Sequence, residues 1–209
     1  METTKVFQSE VQPGCCLPAA EPMKYFETES DQVFVSLGNL GDDIFEIAKE
    51  VGSNGYVYGI NSSESSIKAA FDSAEELGIT NVDFIKSGFE KIKLNDEIAH
   101  RVTADCSISN AENRRAVWSE IYRILKRGGQ FVVRDIYKPN GVPSKFAGNP
   151  ECNATVLSRA EYLEMLYTLG FSMIRILDEK KKIKNGTELT SFTVLGEKPG
   201  ETFVSACRI

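Results

Sequence analysis

Short apolar runs alternate with amphipathic segments along most of this chain, and this alternation restricts the fold more than any other feature. The apolar runs predict strands at Val33–Leu37, Tyr56–Ile60, Val82–Ile85, Arg101–Cys106 and Gln130–Asp135. The amphipathic segments predict helices at Asp43–Val51, Ser63–Leu77, Ala111–Lys126 and Ser158–Leu169. Strands that alternate with helices form parallel sheets covered on both faces, so the pattern predicts a single Rossmann-like α/β domain.

The C-terminal part of the chain predicts an antiparallel hairpin. Two further apolar runs, Ser172–Leu177 and Thr190–Leu195, flank Lys180–Lys184 and Asn185-Gly186, which predict a solvated hairpin tip. These two strands complete a mostly parallel sheet of seven strands. We place the domain at residues 31–198, after an N-terminal arm of residues 1–30 and before a tail of residues 199–209.

The charge balance limits the classes of partner. The chain carries 30 acidic and 24 basic residues, and the resulting net charge of -6 disfavours nucleic-acid and membrane partners. No apolar run approaches the ~20 residues that span a bilayer. Residues 1–5 also lack the basic and apolar character of a signal peptide. We therefore expect a cytoplasmic protein that acts on a small molecule or a metalloid, with its oligomeric state left open.

Five cysteines are spread along the chain without the spacing of a disulfide framework or a zinc site. They are Cys15, Cys16, Cys106, Cys152 and Cys207. In a reducing compartment such residues are free thiols, metal ligands or small core residues. Their spacing alone does not separate these alternatives.

A glycine turn follows the first predicted strand. Gly38 comes directly after Val33–Leu37, and a helix with Asp43 as its predicted N-cap begins within a few residues. This strand–glycine–helix arrangement is typical of turns whose backbone N–H groups hold a cofactor. The usual series of alternating glycines is incomplete, because Leu40 and Asp42 stand at its second and third positions.

Three segments resemble the arsenite methyltransferases, a family of class I methyltransferases that use S-adenosylmethionine (SAM). They are Asp105–Val117 continuing into Glu120–Tyr137, Glu151-Cys152 with Leu157–Leu163, and Gly14–Pro18. The resemblance implies a class I methyltransferase fold and methyl transfer from SAM to arsenic(III) held by three thiolates. It assigns these ligands to Cys106, Cys152 and one of Cys15 or Cys16, of which we take Cys16. Thiolates suit this role, because soft sulfur ligands prefer a soft, thiophilic centre.

The same resemblance implies that SAM is held at the ends of the first, second and fourth strands. The positions concerned are Ser36, Gly38, Asn39, Leu40, Asn61 and Asp105. Ser36 and Asn61 depart from the family pattern, which has acidic residues there. Each lost charge-assisted hydrogen bond weakens binding by ~1.5–3 kcal/mol. Leu40 replaces a glycine, and its side chain either fills the cofactor space or points away from it.

These departures leave three functions to compare. The first is a thiol–metalloid protein on a methyltransferase fold, in which methyl transfer is weak or lost. The second is an active methyltransferase, for arsenite or another small molecule, whose turn binds SAM in an unusual way. The third is a non-catalytic partner subunit whose cofactor crevice has become core. The sequence assigns a catalytic role to no residue.

Overall fold

The computed structural model describes residues 25, 27–105, 107–137, 157–184 and 187–200. The strands are β1 (Val33–Leu37), β2 (Tyr56–Asn61), β3 (Val82–Lys86), β4 (Ala99–Asp105), β5 (Leu125–Tyr137), β6 (Ser172–Lys184) and β7 (Thr187–Glu197). The helices are α1 (Asp42–Glu50), α2 (Glu64–Leu77), α3 (Arg114–Ile124) and α4 (Arg159–Thr168), and a short 3₁₀ helix, Ile108–Asn110, precedes α3. All five cysteines lie outside the described residues, including the predicted ligands Cys16, Cys106 and Cys152.

The strands form one sheet of seven in the order β3-β2-β1-β4-β5-β7-β6. β1 pairs in parallel with β2 and β4, β2 pairs in parallel with β3, and β4 with β5. β7 is antiparallel to both of its neighbours, β5 and β6. The predicted Rossmann-like α/β fold with a C-terminal antiparallel hairpin is therefore confirmed.

Each face of the sheet has its own apolar core. On one face, α1 and α2 pack against the sheet, and the buried residues of this core include Ile44 of α1 and Phe84 of β3. On the other face, Trp118 of α3 packs edge-on against Phe131 and against Tyr162 of α4, with ring centroids 4.9 Å and 5.9 Å away. Burial on both faces explains why the central strands are nearly continuous apolar runs.

Two helices begin where the sequence predicts, each after a serine that caps it. Ser63 caps α2, because its hydroxyl accepts a hydrogen bond from the backbone N–H of Ser66. Ser158 and Glu161 form a capping box at the start of α4. No helix among the described residues has the length and apolar character that a membrane crossing requires.

The start of α1 differs from the prediction that Asp43 is its N-cap. Gly41 is the N-cap, and Asp43 lies in the first turn of the helix. The Asp43 carboxylate instead accepts hydrogen bonds at 3.1 and 3.3 Å from the side-chain amide of Asn39. A carboxylate in the first turn still interacts favourably with the helix dipole. The sequence therefore located the start of α1 to within two residues, although Gly41 and not Asp43 is the N-cap.

The lysine-rich segment lies within a strand, so the prediction that Lys180–Lys184 forms a hairpin tip is wrong. Lys180 pairs with Ser191 and Lys184 with Thr187 in the ladder between β6 and β7. β6 is one of the two edge strands of this sheet, and lysines are common on edge strands because they oppose pairing with another chain. Residues 185–186, between β6 and β7 in the sequence, lie outside the described residues.

Residues 87–98 connect β3 to β4 without a helix. Arg123 of α3 holds this connection by donating hydrogen bonds to the carbonyl oxygens of Ile92 at 2.9 Å and Leu94 at 2.8 Å. Its guanidinium also pairs with Asp96 at 2.7 Å. Glu120 completes the clamp by accepting a 2.7 Å hydrogen bond from the backbone N–H of Ile92. The hydrogen bonds that Arg123 donates and Glu120 accepts thus replace the support that a crossover helix would give.

Candidate functional site

The candidate site is the crevice at the carboxyl ends of β1, β2 and β4. β1 lies between β2 and β4, and the strand order reverses there, because β2 follows on one side and β4 on the other. Open α/β sheets bind ligands outside the carboxyl ends of the strands at such a reversal. The six predicted cofactor positions gather at this edge. Ser36 is in β1, Gly38, Asn39 and Leu40 follow it, Asn61 ends β2 and Asp105 ends β4.

The turn after β1 is held by its own residues. The hydroxyl of Ser36 donates a 2.9 Å hydrogen bond to the carbonyl oxygen of Asn39. The side-chain oxygen of Asn39 accepts a 3.0 Å hydrogen bond from the backbone N–H of Gly41. Gly38 has a φ of 89°, in the left-handed region that favours glycine. A Cβ at Gly38 would also lie 2.2 Å from Oγ of Ser107, so only glycine fits this position.

Two carbonyl oxygens at the end of β1 accept hydrogen bonds from side chains of the neighbouring strand ends. The hydroxyl of Ser107 donates to the carbonyl oxygen of Leu37 at 2.7 Å. The amide of Asn61 donates to the carbonyl oxygen of Gly38, also at 2.7 Å. The side-chain oxygen of Asn61 in turn accepts a 2.8 Å hydrogen bond from the backbone N–H of Ser63. The polar groups of the crevice therefore bind each other.

The side chain of Leu40 points into the core and away from the crevice. It is 4% exposed and belongs to the cluster that α1 and α2 form with the sheet. Gly59 of β2 makes room for it, because a Cβ at Gly59 would lie 2.6 Å from Cδ2 of Leu40. Of the two alternatives that the sequence left open, the structure shows the second. The isobutyl group takes up core space beside β2.

The carboxylate of Asp105 is paired with a buried guanidinium. Arg134 of β5 is 5% exposed and donates from Nε to Oδ1 of Asp105 at 2.8 Å, and its Nη2 bonds the other carboxylate oxygen. Asp43 is a second acidic group beside this pair. Burial raises the pKa of the Asp43 carboxyl above its usual value, and the charge of Asp105 adds to that rise. The α1 side of the crevice is therefore acidic.

A second buried polar group lies near the end of β5. Asp135 is fully buried, accepts hydrogen bonds from the hydroxyl of Tyr162 at 3.0 Å and from the backbone N–H of Ile136 at 2.8 Å, and has the charge of Arg114 nearby. Burial raises the pKa of Asp135 to about 6. Arg114 also donates to the carbonyl oxygen of Ser109 at 2.6 Å. This network ties α4, β5 and the segment after β4 together.

Several of these residues were missed by reasoning from the sequence. Ser107, Arg134 and Asp43 were assigned no part in the site, although each contacts or closely approaches a predicted position. Polar residues at the ends of predicted strands were the available signal, but their partners are distant in sequence. The described residues contain no group of three metal-ligating side chains, and because Cys16, Cys106 and Cys152 lie outside them, the thiolate site stays a prediction.

Comparison with known proteins agrees with this architecture. Residues 39–189, more than half of the chain, match the sequence profile of the methyltransferase domain family. An arsenite methyltransferase of Halobacterium salinarum is 25% identical over 195 residues, which cover 91% of this chain and 49% of that protein. A demethylmenaquinone methyltransferase of Listeria welshimeri is 31% identical over 94 residues, 45% of this chain and 40% of that protein. The chain thus spans at most about half the length of these relatives.

A solved structure has the same fold. The crystal structure of an arsenic(III) S-adenosylmethionine methyltransferase from Chlamydomonas reinhardtii superposes with a TM-score of 0.74 at 24% sequence identity. The match covers 89% of this chain and 68% of that one. The likeness therefore extends over most of the chain.

Proposed function

Because this chain belongs to the methyltransferase domain family, we propose that it is an arsenite methyltransferase-like protein in which methyl transfer from SAM is weak or lost. We further propose that it keeps a thiolate site for arsenic(III). The first part rests on the polar groups of the crevice, and the second on the relatives and on the three cysteines that the resemblance assigns.

One observation carries the first part. The carbonyl oxygen of Gly38 and the side chain of Asn61, two of the predicted cofactor positions, are bonded to each other. A ligand that used either group would have to replace this 2.7 Å hydrogen bond, which contributes about 1 kcal/mol. Asn61 is also an amide, so it offers no carboxylate for the ribose hydroxyls. The residues at the end of β2 therefore fit SAM poorly, and we assign no step through it.

The arsenic(III) site is proposed on Cys16, Cys106 and Cys152. Three thiolates bind a soft trivalent centre well, because sulfur ligands match its polarisability. The residues on either side of Cys106 in the sequence have partners: Asp105 is paired with Arg134, and Ser107 donates to Leu37. These contacts hold the two residues that flank Cys106 in the sequence, which supports the proposal that Cys106 is a ligand.

A second candidate is an active SAM-dependent methyltransferase, for arsenite or another small molecule. The position of Leu40 favours it, since its side chain lies in the core and leaves the crevice free. Gly38 also keeps the left-handed conformation that lets backbone groups approach a ligand closely. On this view Asn61 releases Gly38 when the cofactor binds.

Calorimetric titration of the reduced protein with SAM and with arsenic(III), each alone and together, tests the proposal. We expect SAM to bind no tighter than about millimolar, since two charge-assisted hydrogen bonds are lost. We expect tight arsenic(III) binding that Cys106→Ser and Cys152→Ser abolish. Cys207→Ser is the matched control, because Cys207 lies beyond the segments that resemble the family.

The other outcomes discriminate between the candidates. Micromolar SAM binding with methylation of arsenic(III) in the presence of a thiol reductant would overturn the proposal in favour of the active enzyme. Binding of neither compound would leave the partner-subunit hypothesis. A hetero-complex or stable oligomer, measured by light scattering after gel filtration, would then support that third function.

A further inference from the structure

A basic recess lies at the β2–β3 end of the crevice, on the side away from Asp105. Its volume is about 540 Å³, and it is lined by Ser62, Lys86, Ser87, Gly88, Lys91 and Lys93. The lining thus contains three lysines and two serines. The protein as a whole carries a net charge of -6, so this concentration of positive charge is local and opposite to the general surface.

The loop that carries these lysines is shaped by Ser87, which is 6% exposed. Its hydroxyl donates hydrogen bonds to the carbonyl oxygens of Gly88 at 3.1 Å and Lys91 at 2.8 Å. Its backbone N–H donates to the carbonyl oxygen of Asn61 at 3.0 Å. The lysine loop is therefore joined directly to the residue that ends β2.

The three lysines of the recess differ in whether they form a salt bridge. Lys86 pairs with Glu64 at 2.6 Å. Lys91 and Lys93 have no salt bridge to any residue that the structure describes. A further carboxylate, Glu90, approaches Gly88, with its Oε2 3.6 Å from the place that a Cβ there would take. Ser62 of the recess directly precedes Ser63, the N-cap of α2, and the dipole of this helix favours an anion.

In open α/β folds, the residue at the end of the second strand decides how the ribose of a nucleotide is held. A carboxylate there accepts hydrogen bonds from the ribose hydroxyls, whereas a nearby cationic side chain accommodates a phosphate on the ribose. This chain has the amide of Asn61 in place of the carboxylate, and Lys86 is its register partner on β3. We infer that the recess binds a phosphate group carried on the ribose of a nucleotide, as in adenosine 2′-phosphate. The inference concerns the same crevice as the proposed function but a different class of ligand.

Calorimetric titration with adenosine 2′-phosphate, adenosine and inorganic phosphate tests the inference. We expect adenosine 2′-phosphate to bind at least about tenfold more tightly than adenosine, because lysine–phosphate contacts are charge-assisted. The double variant Lys91→Gln/Lys93→Gln reduces this ratio to below about threefold, since it removes both recess lysines that form no salt bridge with a described residue. Glu90→Gln raises the affinity for adenosine 2′-phosphate, because it removes the opposing charge.

The control is Lys49→Gln/Lys180→Gln, which removes two exposed lysines from α1 and β6. An equal loss of binding in this control would show general charge attraction and overturn the inference. Equal affinity for adenosine and adenosine 2′-phosphate would also overturn it, as would inorganic phosphate binding as tightly as the nucleotide. The proposed function is tested by titration with SAM and arsenic(III), which are not used here, so failure of this inference is distinguishable from failure of the proposed function.

Discussion

The amide of Asn61, at the end of β2, donates a 2.7 Å hydrogen bond to the carbonyl oxygen of Gly38 in the turn after β1. The two residues are 23 positions apart and were both assigned to the same cofactor by resemblance. In the structure they are hydrogen-bonded to each other, which supports the proposed weak cofactor binding for a different reason than the steric one that Leu40 suggested. A single substitution at Asn61 can remove this hydrogen bond and so test its effect on cofactor binding.

Asn61→Asp is expected to strengthen SAM binding by about tenfold or more, because a carboxylate accepts hydrogen bonds from ribose hydroxyls and cannot donate to Gly38. It is also expected to destabilise the free protein by about 1–2 kcal/mol, since the carbonyl oxygen of Gly38 loses its donor. Calorimetry and urea unfolding measure the two effects. Asn95→Asp, at an exposed position in the β3–β4 connection, should change neither. Unchanged SAM affinity in Asn61→Asp would contradict the role given to this hydrogen bond.

Gly38→Ala is expected to lower the free energy of unfolding by about 3 kcal/mol or more. The left-handed backbone costs an alanine about 1–2 kcal/mol, and the new Cβ would lie 2.2 Å from Oγ of Ser107. Gly78→Ala is the matched control, because Gly78 has a φ of 66° but no atom within 4 Å of a Cβ. Guanidinium unfolding of both variants isolates the contact with Ser107. Equal losses in the two variants would mean that only the backbone conformation matters.

Arg134→Met is expected to destabilise the protein by about 3–5 kcal/mol, because it leaves the carboxylate of Asp105 without its buried partner. Adding Asp105→Asn should recover part of this loss, since the unpaired charge is then removed. Lys68→Met, which breaks the exposed pair with Asp72, should cause no measurable change. Urea unfolding of the single and double variants gives the coupling between the two residues. Strictly additive effects of the two substitutions would exclude an energetic coupling between Arg134 and Asp105.

The stability of the protein is expected to depend on pH through Asp135. Its pKa in the folded protein is about 6, above the ordinary value of 3.8, so the folded state favours the protonated carboxyl. The associated stability is fully present below about pH 4 and is lost as the pH rises through 6. Asp135→Asn removes this dependence, so its stability relative to the natural protein should rise by about 3 kcal/mol between pH 4 and pH 7.

Denaturant unfolding at several pH values between 4 and 7 measures this effect. Tyr162→Phe serves as a comparison, because it keeps the carboxyl but removes the hydroxyl that donates to it at 3.0 Å. It should retain the pH dependence and move its midpoint to higher pH, since a hydrogen bond to the charged form is lost. A constant stability difference between Asp135→Asn and the natural protein would refute the assignment.

The sequence by itself determined the kind and order of the elements, because these depend on local periodicity and capping. Apolar runs and amphipathic segments predicted each strand and helix in its order, although β5 begins five residues earlier and β6 ends seven residues later than predicted. Ser63 and Ser158 cap the helices that were predicted to begin there. The prediction for the lysine-rich segment was wrong because it also relied on a local pattern. Its charges suggested a tip, whereas pairing with Thr187 and Ser191 on the neighbouring strand made it part of an edge strand.

Only the tertiary structure decided what the residues of the site do. The direction of Leu40 depends on the absence of a Cβ at Gly59, and the role of Ser107 depends on a carbonyl oxygen 70 positions earlier in the chain. Such contacts have no local pattern, since they arise where parallel strands bring distant residues to one edge of the sheet. The chemical types at the crevice were therefore visible in the sequence, but their pairing was set by the packing of the strands.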